Sequence, residues 1–346
     1  MVPPLRPVLS TLLAATLSLT GLKTAQAACL QGVNLAGADF GQGRGVYGKD
    51  YIYPSVKTID HFAAKGMNVI RLPFKWEHLQ PKLDAALDPL ELRRLKETVA
   101  AARARGMVVI LDPHNYAAYD EEKIGTTSVP VSAFAGFWGR LAAEFQDDRH
   151  VYFGLMNEPN RIDARLWLEA ANAAITAIRA VGAKNLILVP GTNHTGGQSW
   201  HENTPNGVNA DVMGGVRDPV DNFAYEFHQY LNHDFSGGGS DCDSEAAGLK
   251  AISDVSGWLR KQGKKGFLGE IGVPANKTCL QALSNVLRRL ERNGDVWLGW
   301  SYWAAGDWWP ESEALNIQPT AKGDRGQLPV LIDAIGRRKK GGSCKA

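Results

Sequence analysis

The sequence predicts one α/β domain built as a (β/α)8 TIM barrel. Short apolar segments recur along the chain, and segments with helical patterning and capping residues separate them. Strands that alternate with helices in this way are parallel and are joined by crossover helices. No GxGxxG motif follows the first strand, and "GQGRG" at 41–45 has the wrong spacing for a dinucleotide-binding loop. Eight such units fit a closed barrel better than an open sheet.

Eight segments rich in Val, Ile and aromatic residues are predicted as strands. They are residues 32–36, 67–72, 107–112, 151–156, 185–189, 223–228, 266–270 and 296–302. The helices between them have recognisable ends. Asp88 caps one helix, Pro89 suits its first position, and Gly106 ends it, while Asp163 and Gly182 bound another. No linker rich in Pro, Ser or Thr separates a second domain from this series.

Residues 1–27 have the layout of a secretory signal. Arg6 comes early, no charged residue follows until Lys23, and small residues end the segment at Ala27. The uncharged run is shorter than the roughly 20 apolar residues of a membrane span, so an uncleaved anchor is the weaker alternative. We expect a secreted protein, extracellular or periplasmic in transit, with its folded domain over 28–346 and no membrane attachment after processing.

The composition is that of an ordinary globular protein. The chain is 44% hydrophobic and 21% charged, with a formal net charge of +2. A basic run, "GRRKKGG" at 336–342, fits a solvated terminal tail better than a polyanion site. We therefore expect no nucleic-acid partner, and no feature demands more than a monomer.

Four cysteines follow the predicted signal, and an exported protein is expected to pair them as disulfides. No CxxC spacing is present, which disfavours a zinc site. Three pairings are possible. We favour Cys29–Cys344, which would close the termini, and Cys242–Cys279, which would join two late loops.

Polar and aromatic side chains collect at the carboxyl ends of the predicted strands, where such barrels place their chemistry. These residues are Asn34, Arg71, His114, Asn157, Glu158, His194, His228, Tyr230, Glu270 and Trp303. Single members have ordinary explanations: His114 suits a turn, His228 a satisfied core histidine, and Trp303 a core residue. Their coincidence at one end of a barrel favours an enzyme.

The residue types narrow the chemistry. Neither HxH nor HExxH is present, which disfavours a metal-dependent hydrolase, and no Lys lies at a strand end for Schiff-base chemistry. Two glutamates across a cleft suit the hydrolysis of a glycosidic bond. The five tryptophans within 297–309 offer flat faces for sugar rings.

Six ordered motifs resemble the glycoside hydrolase family 5 cellulases, in the endoglucanase branch shared by bacteria and filamentous fungi. They are "NVIRLPF", "LDPHNY", "YFGLMNEPN", "YEFHQYL", "GFLGEIGVP" and "SYWAAGDWW". The resemblance implies a retaining endo-β-1,4-glucanase that acts on β-1,4-glucan polysaccharide and needs no cofactor or metal. It also implies a Cys242–Cys279 disulfide.

The same resemblance implies roles for single residues. Glu158 would be the general acid/base and Glu270 the nucleophile. The substrate-binding set would comprise Asn157 at the sugar 2-OH, Arg71 and Tyr230 beside Glu270, His114 and His228 around the reacting sugar, Trp303 as its platform, and Asn34.

These roles carry physical expectations. A retaining pair has carboxyl groups about 5–5.5 Å apart. Arg71 should lower the pKa of Glu270, and the charge of Glu270 should raise the pKa of Glu158. The motifs leave open another β-glycan, such as mannan, xyloglucan or mixed-linkage glucan, and, from a different class, a non-catalytic glycan-binding barrel.

Overall fold

Eight parallel strands close into a barrel in the computed structural model, which describes Met1 and residues 29–340. The predicted fold class is therefore confirmed. Around the barrel the strand order is β1-β10-β9-β8-β7-β6-β3-β2. The strand bounds are β1 Leu30–Leu35, β2 Val69–Phe74, β3 Val108–Pro113, β4 Ala118–Tyr119, β5 Glu122–Lys123, β6 Val151–Gly154, β7 Ile187–Pro190, β8 Phe223–His228, β9 Gly266–Ile271 and β10 Trp297–Ala305.

Helices connect the barrel strands and cover their outer faces. Their bounds are α1 Val56–Ala64, α2 Trp76–Leu79, α3 Pro89–Arg103, α4 Val131–Phe145, α5 Ala164–Ala180, α6 Asn209–Val212, α7 Glu245–Gln262, α8 Lys277–Arg292 and α9 Leu328–Lys340. Asp88 and Asp163 cap α3 and α5 as predicted, because each carboxylate accepts two backbone N–H bonds of the first turn. No helix among the described residues is long and apolar enough to span a bilayer.

The predicted strands all exist, with small differences at their ends. Residues 223–228 match β8 fully, whereas β6 ends at Gly154 instead of residue 156. The chain leaves the regular ladder there but stays bonded to both neighbours: the Leu155 N–H donates to Leu188 O and the Asn157 N–H to Pro113 O. The antiparallel hairpin of β4 and β5 escaped prediction, because two-residue strands carry no readable periodicity.

The barrel interior is filled in layers. Near the amino ends of the strands lies an apolar layer, defined here as Val69, Ile110, Leu188, Ala224 and Phe267, all buried. Side chains on a strand alternate between its two faces, so the residue two positions later points the same way. On three of these strands that residue is charged, giving a charged layer of Arg71, Asp112 and Glu226, also fully buried.

Glycine makes room for the charged layer. A Cβ placed on Gly269 would lie 2.2 Å from Glu226 Oε1, and one on Gly154 would lie 3.6 Å from Glu226 Oε2. A larger residue at position 269 would therefore collide with a carboxylate. The missing side chain on β9 is what allows a charged group to occupy the barrel axis.

Cys242 and Cys279 form a disulfide with their Cα atoms 5.3 Å apart, which confirms one predicted pairing. Cys344 lies outside the described residues, so the Cys29–Cys344 pairing stays a prediction. The predicted signal segment, residues 1–27, also lies outside them except for Met1.

Candidate active site

The carboxyl ends of the strands bring the predicted site residues together around Arg71. This fully buried arginine of β2 contacts five side chains through its guanidinium, at 2.8 to 3.1 Å: Asn34, Asp112, Asn157, Glu226 and Glu270. Burial alone would lower the pKa of Arg71, but the surrounding carboxylates raise it above its ordinary value. Arg71 is therefore a permanent cation, and its contacts hold the surrounding side chains of the site in place.

Asn34 supports this cation. Its amide donates to the carbonyls of Gly269 and Tyr302 at 2.9 and 3.2 Å, and its Oδ1 accepts from Arg71 at 3.0 Å. The side chain is fully buried. With its polar atoms engaged in this way, Asn34 holds the ends of β9 and β10 and orients Arg71.

Glu270, at the end of β9, is held by two donors. Arg71 Nη1 donates to Oε1 at 2.9 Å and the Tyr230 hydroxyl donates to Oε2 at 2.6 Å. Burial, with a further contribution from the charge of Glu158, raises the pKa of Glu270 even though His228 and Arg71 act in the opposite direction. Arg71 acts to lower this pKa as expected, but the net direction is upward, because the cost of burying the charge inside the barrel is larger.

Glu158 follows β6 and has a left-handed backbone conformation, with φ of 42°. Its Oε1 lies 2.7 Å from His228 Nδ1 and its Oε2 lies 2.8 Å from His194 Nδ1. Burial would raise the pKa of Glu158, but the hydrogen bonds from the two histidines outweigh burial and lower it. The predicted rise was therefore also wrong, since the sequence did not reveal two ring N–H donors at this carboxylate.

The two carboxyl groups face each other closely. One oxygen of Glu158, one of Glu270 and one ring nitrogen of His228 all lie within 4.8 Å of one another. Carboxyl groups of retaining glycosidases lie about 5–5.5 Å apart, whereas inverting enzymes need about 6.5–9.5 Å to admit a water. An oxygen of each carboxyl group within 4.8 Å of the other is too close for the inverting arrangement and agrees with the retaining one.

The same three groups have the spacing of a cation site, but His228 is unsuited to bind one. Burial would lower the pKa of His228, yet the charge of Glu270 and the bonds to Glu158 and Glu226 raise it to about 10. A protonated imidazole has no lone pair to offer a metal. The positive charge between the two glutamates is thus supplied by the histidine itself.

An aromatic wall borders the acidic pair. The rings of His114 and Trp303 stack at 5.2 Å between centroids, with 15° between their planes. Trp309 meets Trp303 edge to face at 5.7 Å, and Phe40 lies 5.6 Å from Trp309. Flat apolar faces of this kind suit the apolar faces of pyranose rings.

Asn157 completes the site. Its Oδ1 accepts from Arg71 at 2.9 Å, while its buried Nδ2 has no hydrogen-bond partner among the described residues. Buried amide groups are rarely left unpaired. The orphaned N–H donors are therefore suited to a hydroxyl group of a bound sugar.

The structure places two further carboxylates in the site, Asp112 and Glu226, which were not predicted from the sequence. It also shows a contact that was not predicted, between His194 and Glu158. The missed pair stand two residues before His114 and His228, in Asp-x-His and Glu-x-His spacing. Strand alternation places both members of each pair on the inner face of the barrel. That spacing was the available signal.

Known proteins share this architecture. The family model for cellulase (glycosyl hydrolase family 5) matches residues 23–306. Endo-β-1,4-glucanase A of Emericella nidulans is 40% identical over 296 residues, which are 84% of this chain and 87% of the relative. The structure of the endo-β-1,4-glucanase Xac0029 from Xanthomonas axonopodis pv. citri superposes with a TM-score of 0.87 at 45% identity, covering 90% of this chain and 99% of that one.

A second solved structure, Pseudomonas stutzeri endoglucanase Cel5A in complex with cellobiose, superposes with a TM-score of 0.81. It is 36% identical and covers 88% of this chain and 92% of its own. The family match spans most of the chain, and both relatives described above exceed 30% identity. The chain therefore belongs to glycosyl hydrolase family 5 and is a glycoside hydrolase.

Proposed function

We propose that the protein is a secreted endo-β-1,4-glucanase that hydrolyses internal β-1,4-glucosidic bonds of cellulose or a related β-glucan. Retention by double displacement is part of this proposal, with Glu158 as acid/base and Glu270 as nucleophile. The endo-β-1,4-glucanases among its relatives support the substrate class. The observation that supports the mechanism is the approach of one oxygen of Glu158 to within 4.8 Å of one oxygen of Glu270.

The surroundings of the two glutamates support different roles. Arg71 and Tyr230 donate hydrogen bonds to Glu270, which hold the carboxyl in place and favour its ionised form, the form that attacks the anomeric carbon. Glu158 is half-buried at the edge of the cleft, where it can reach the glycosidic oxygen. Trp303 lies below as the platform, and the free N–H groups of Asn157 are directed to the 2-OH.

His228 supplies the proton for the first step. In the unliganded site Glu158 is ionised because its pKa is lowered, whereas His228 is protonated because its pKa is raised to about 10. A sugar that excludes water from Glu158 favours the neutral carboxyl. The proton then passes from His228 Nδ1 to Glu158 Oε1, 2.7 Å away, and on to the leaving oxygen.

The second step reverses this transfer. Once Glu270 is esterified to the sugar, its negative charge is gone, and Glu158 acts as a base toward water at the anomeric carbon. The proton removed from that water returns through Glu158 to His228 Nδ1. Each cycle therefore ends with the cluster in its starting protonation state.

Three further parts of the proposal rest on the sequence. We infer cleavage of residues 1–27 as a secretory signal, a single catalytic domain over 28–346, and a monomer. Mass measurement of the exported protein tests the cleavage site, and sedimentation tests the oligomeric state.

A substrate panel tests the proposed activity. Initial rates of reducing-sugar release should be highest on carboxymethyl cellulose or mixed-linkage β-glucan, compared with xyloglucan and mannan at equal mass concentration. Viscosity should fall early relative to reducing-sugar release, because internal bonds are cut. A preference for mannan or xyloglucan, or viscosity that falls only in step with sugar release, contradicts the proposal.

A further inference from the structure

Each of the two site histidines has a buried carboxylate directly beneath it. Asp112 precedes His114 by two residues and Glu226 precedes His228 by two, and neither carboxylate is exposed. Both contact the same guanidinium, since Arg71 Nη1 lies 3.1 Å from Asp112 Oδ2 and Arg71 Nε lies 2.8 Å from Glu226 Oε1. The mechanism above gives neither carboxylate a task.

The hydrogen bonds of the two histidines differ. His228 has acidic oxygens on both sides, with Glu158 at Nδ1 and Glu226 3.3 Å from Nε2, so both ring nitrogens are protonated donors. Among the described residues, the His114 ring has a hydrogen-bond partner on one side: its Nδ1 lies 2.8 Å from Asp112 Oδ2. Burial, the largest cause, lowers the pKa of His114 to about 4, so this ring carries a single proton.

The geometry around Asp112 fixes where that proton lies. Burial raises the pKa of Asp112 to about 7, but its Oδ2 lies 3.1 Å from Nη1 of the Arg71 cation, so a proton on this carboxyl belongs on the other oxygen. Oδ2 is therefore a hydrogen-bond acceptor and the Nδ1 of His114 donates to it. The other oxygen, Oδ1, is buried with no hydrogen-bond partner among the described residues. A neutral imidazole that donates through Nδ1 presents a lone pair at Nε2.

We propose that Asp112 is a positioning residue that holds the proton of His114 on Nδ1, so that Nε2 accepts a hydrogen bond from a hydroxyl group of the bound sugar. Stacking on Trp303 fixes the plane of the His114 ring, and Asp112 fixes which of its two nitrogens carries the proton. The site then meets the sugar with a lone pair at His114 and with N–H donors at Asn157. This inference rests on the proposed glucanase function for its ligand, but not for its tautomer.

Two substitutions at position 112 separate the role of Asp112 Oδ2 as a hydrogen-bond acceptor from the role of its negative charge. Asp112→Asn can keep an amide oxygen at the Oδ2 position and place its NH2 group at the unpartnered Oδ1 position. Asp112→Leu has nearly the same shape but no acceptor. Glu226→Gln is the matched control, because it removes a carboxylate from the same Arg71 without touching His114.

The experiment measures imidazole 15N chemical shifts of uniformly labelled protein, with the His114 signals assigned by their loss in His114→Gln. Wild type, Asp112→Asn and Glu226→Gln should show the Nδ1–H tautomer at His114, and Asp112→Leu should lose it. On a short β-1,4-glucan oligomer, Asp112→Leu should lower kcat/KM by about tenfold or more, in line with one misplaced buried hydrogen bond, and Asp112→Asn should recover most of that loss.

Outcomes that overturn the inference are distinct from failure of the proposed function. An Nε2–H tautomer in wild type contradicts it even if Asp112→Leu does not fold. A folded Asp112→Leu protein that keeps the Nδ1–H signature, or that keeps full kcat/KM, also contradicts it. If wild type shows the Nδ1–H tautomer but no glucan is cleaved, the proposed function fails while the role of Asp112 in fixing the tautomer stands.

Discussion

The apolar layer and the charged layer lie in the same barrel, two residues apart along the strands. Both are buried, but one is made of apolar side chains and the other of ionic ones. In the apolar layer Val69, Ile110 and Phe267 pack in one buried hydrophobic cluster. Two residues farther along β2 and β3 stand Arg71 and Asp112, equally buried but ionic. Depth of burial therefore does not distinguish a stabilising layer from a functional one in this protein.

The difference lies in what burial costs. Burying apolar surface stabilises the fold by about 25 cal/mol per Å². Burying an ion costs several kcal/mol, and partners repay that cost only when their geometry is good. A charged layer under the site therefore adds little to the stability of the fold, but it holds charged and hydrogen-bonding groups in fixed orientations. The two glutamates proposed to be catalytic lie directly above it, so the two layers should respond differently to substitution.

Replacing the proposed nucleophile should give the largest functional effect. Glu270→Gln keeps the shape and the contact with Tyr230 but removes the attacking oxygen, so kcat on carboxymethyl cellulose should fall by about three to four orders of magnitude. The free energy of urea unfolding should change by about 1 kcal/mol or less. Glu158→Gln is the companion variant, and full activity in either protein would contradict the assignment.

Breaking the charged layer should cost both activity and stability. Arg71→Met leaves Asp112, Glu226 and Glu270 buried without their cation, which should lower the free energy of unfolding by about 3–5 kcal/mol. Activity should be lost at temperatures where the variant remains folded, as judged by circular dichroism. A stable, active Arg71→Met protein would show that the cation is dispensable.

Breaking the apolar layer should cost stability alone. Phe267→Ala removes a fully buried ring and should lower the free energy of unfolding by about 3–5 kcal/mol through lost contacts and a cavity. At low temperature, kcat/KM of the folded fraction should stay close to wild type. A large fall in kcat/KM without loss of stability would erase the distinction between the two layers.

A smaller change tests the space reserved for Glu226. In Gly269→Ala the new methyl group would lie 2.2 Å from Glu226 Oε1, and overpacking of this kind costs about 1–3 kcal/mol. Gly257→Ala on α7 is the control, since its Cβ meets no atom within 4 Å. We expect lower stability and activity for Gly269→Ala only. Equal behaviour of the two variants would show that the barrel axis adapts freely.

The last prediction concerns pH. The pKa of His228 is raised to about 10 in the folded protein, against about 6.5 in an unfolded chain. A raised pKa means that this group stabilises the fold fully below pH 6.5 and loses that contribution as pH rises toward 10. Stability in urea should therefore fall more steeply between pH 7 and 10 in wild type than in His228→Gln. Parallel curves would contradict the charged state of His228.

The sequence predicted much of the fold and the site because both depend on simple geometry. Parallel strands end at one edge of a barrel, so Glu158 and Glu270 had to approach each other although 112 positions separate them. The Asp-x-His and Glu-x-His spacings could have revealed Asp112 and Glu226 by strand alternation, but their chemistry was hidden inside apolar strands.

Other features could not be predicted from the sequence. The bond from His194 to Glu158 depends on three successive left-handed residues, Asn193, His194 and Thr195, with φ of 55°, 58° and 49°. No residue pattern predicts such a turn where none of the three positions is a glycine. The pKa direction predicted for Glu158 was wrong because it depends on the hydrogen bonds from His194 and His228. The direction predicted for Glu270 was wrong because it depends on how deeply the carboxyl is buried.

The central claim is that Glu270 attacks the sugar and forms a covalent intermediate. Incubation with an activated 2-deoxy-2-fluoro-β-cellobioside, followed by mass spectrometry of protease fragments, tests it most directly. We expect a mass increase of one fluorinated cellobiosyl group on the peptide that contains Glu270, and none on the peptide that contains Glu158. An adduct on Glu158, or turnover of a short β-1,4-glucan oligomer to a product that is initially the α-anomer, would contradict it.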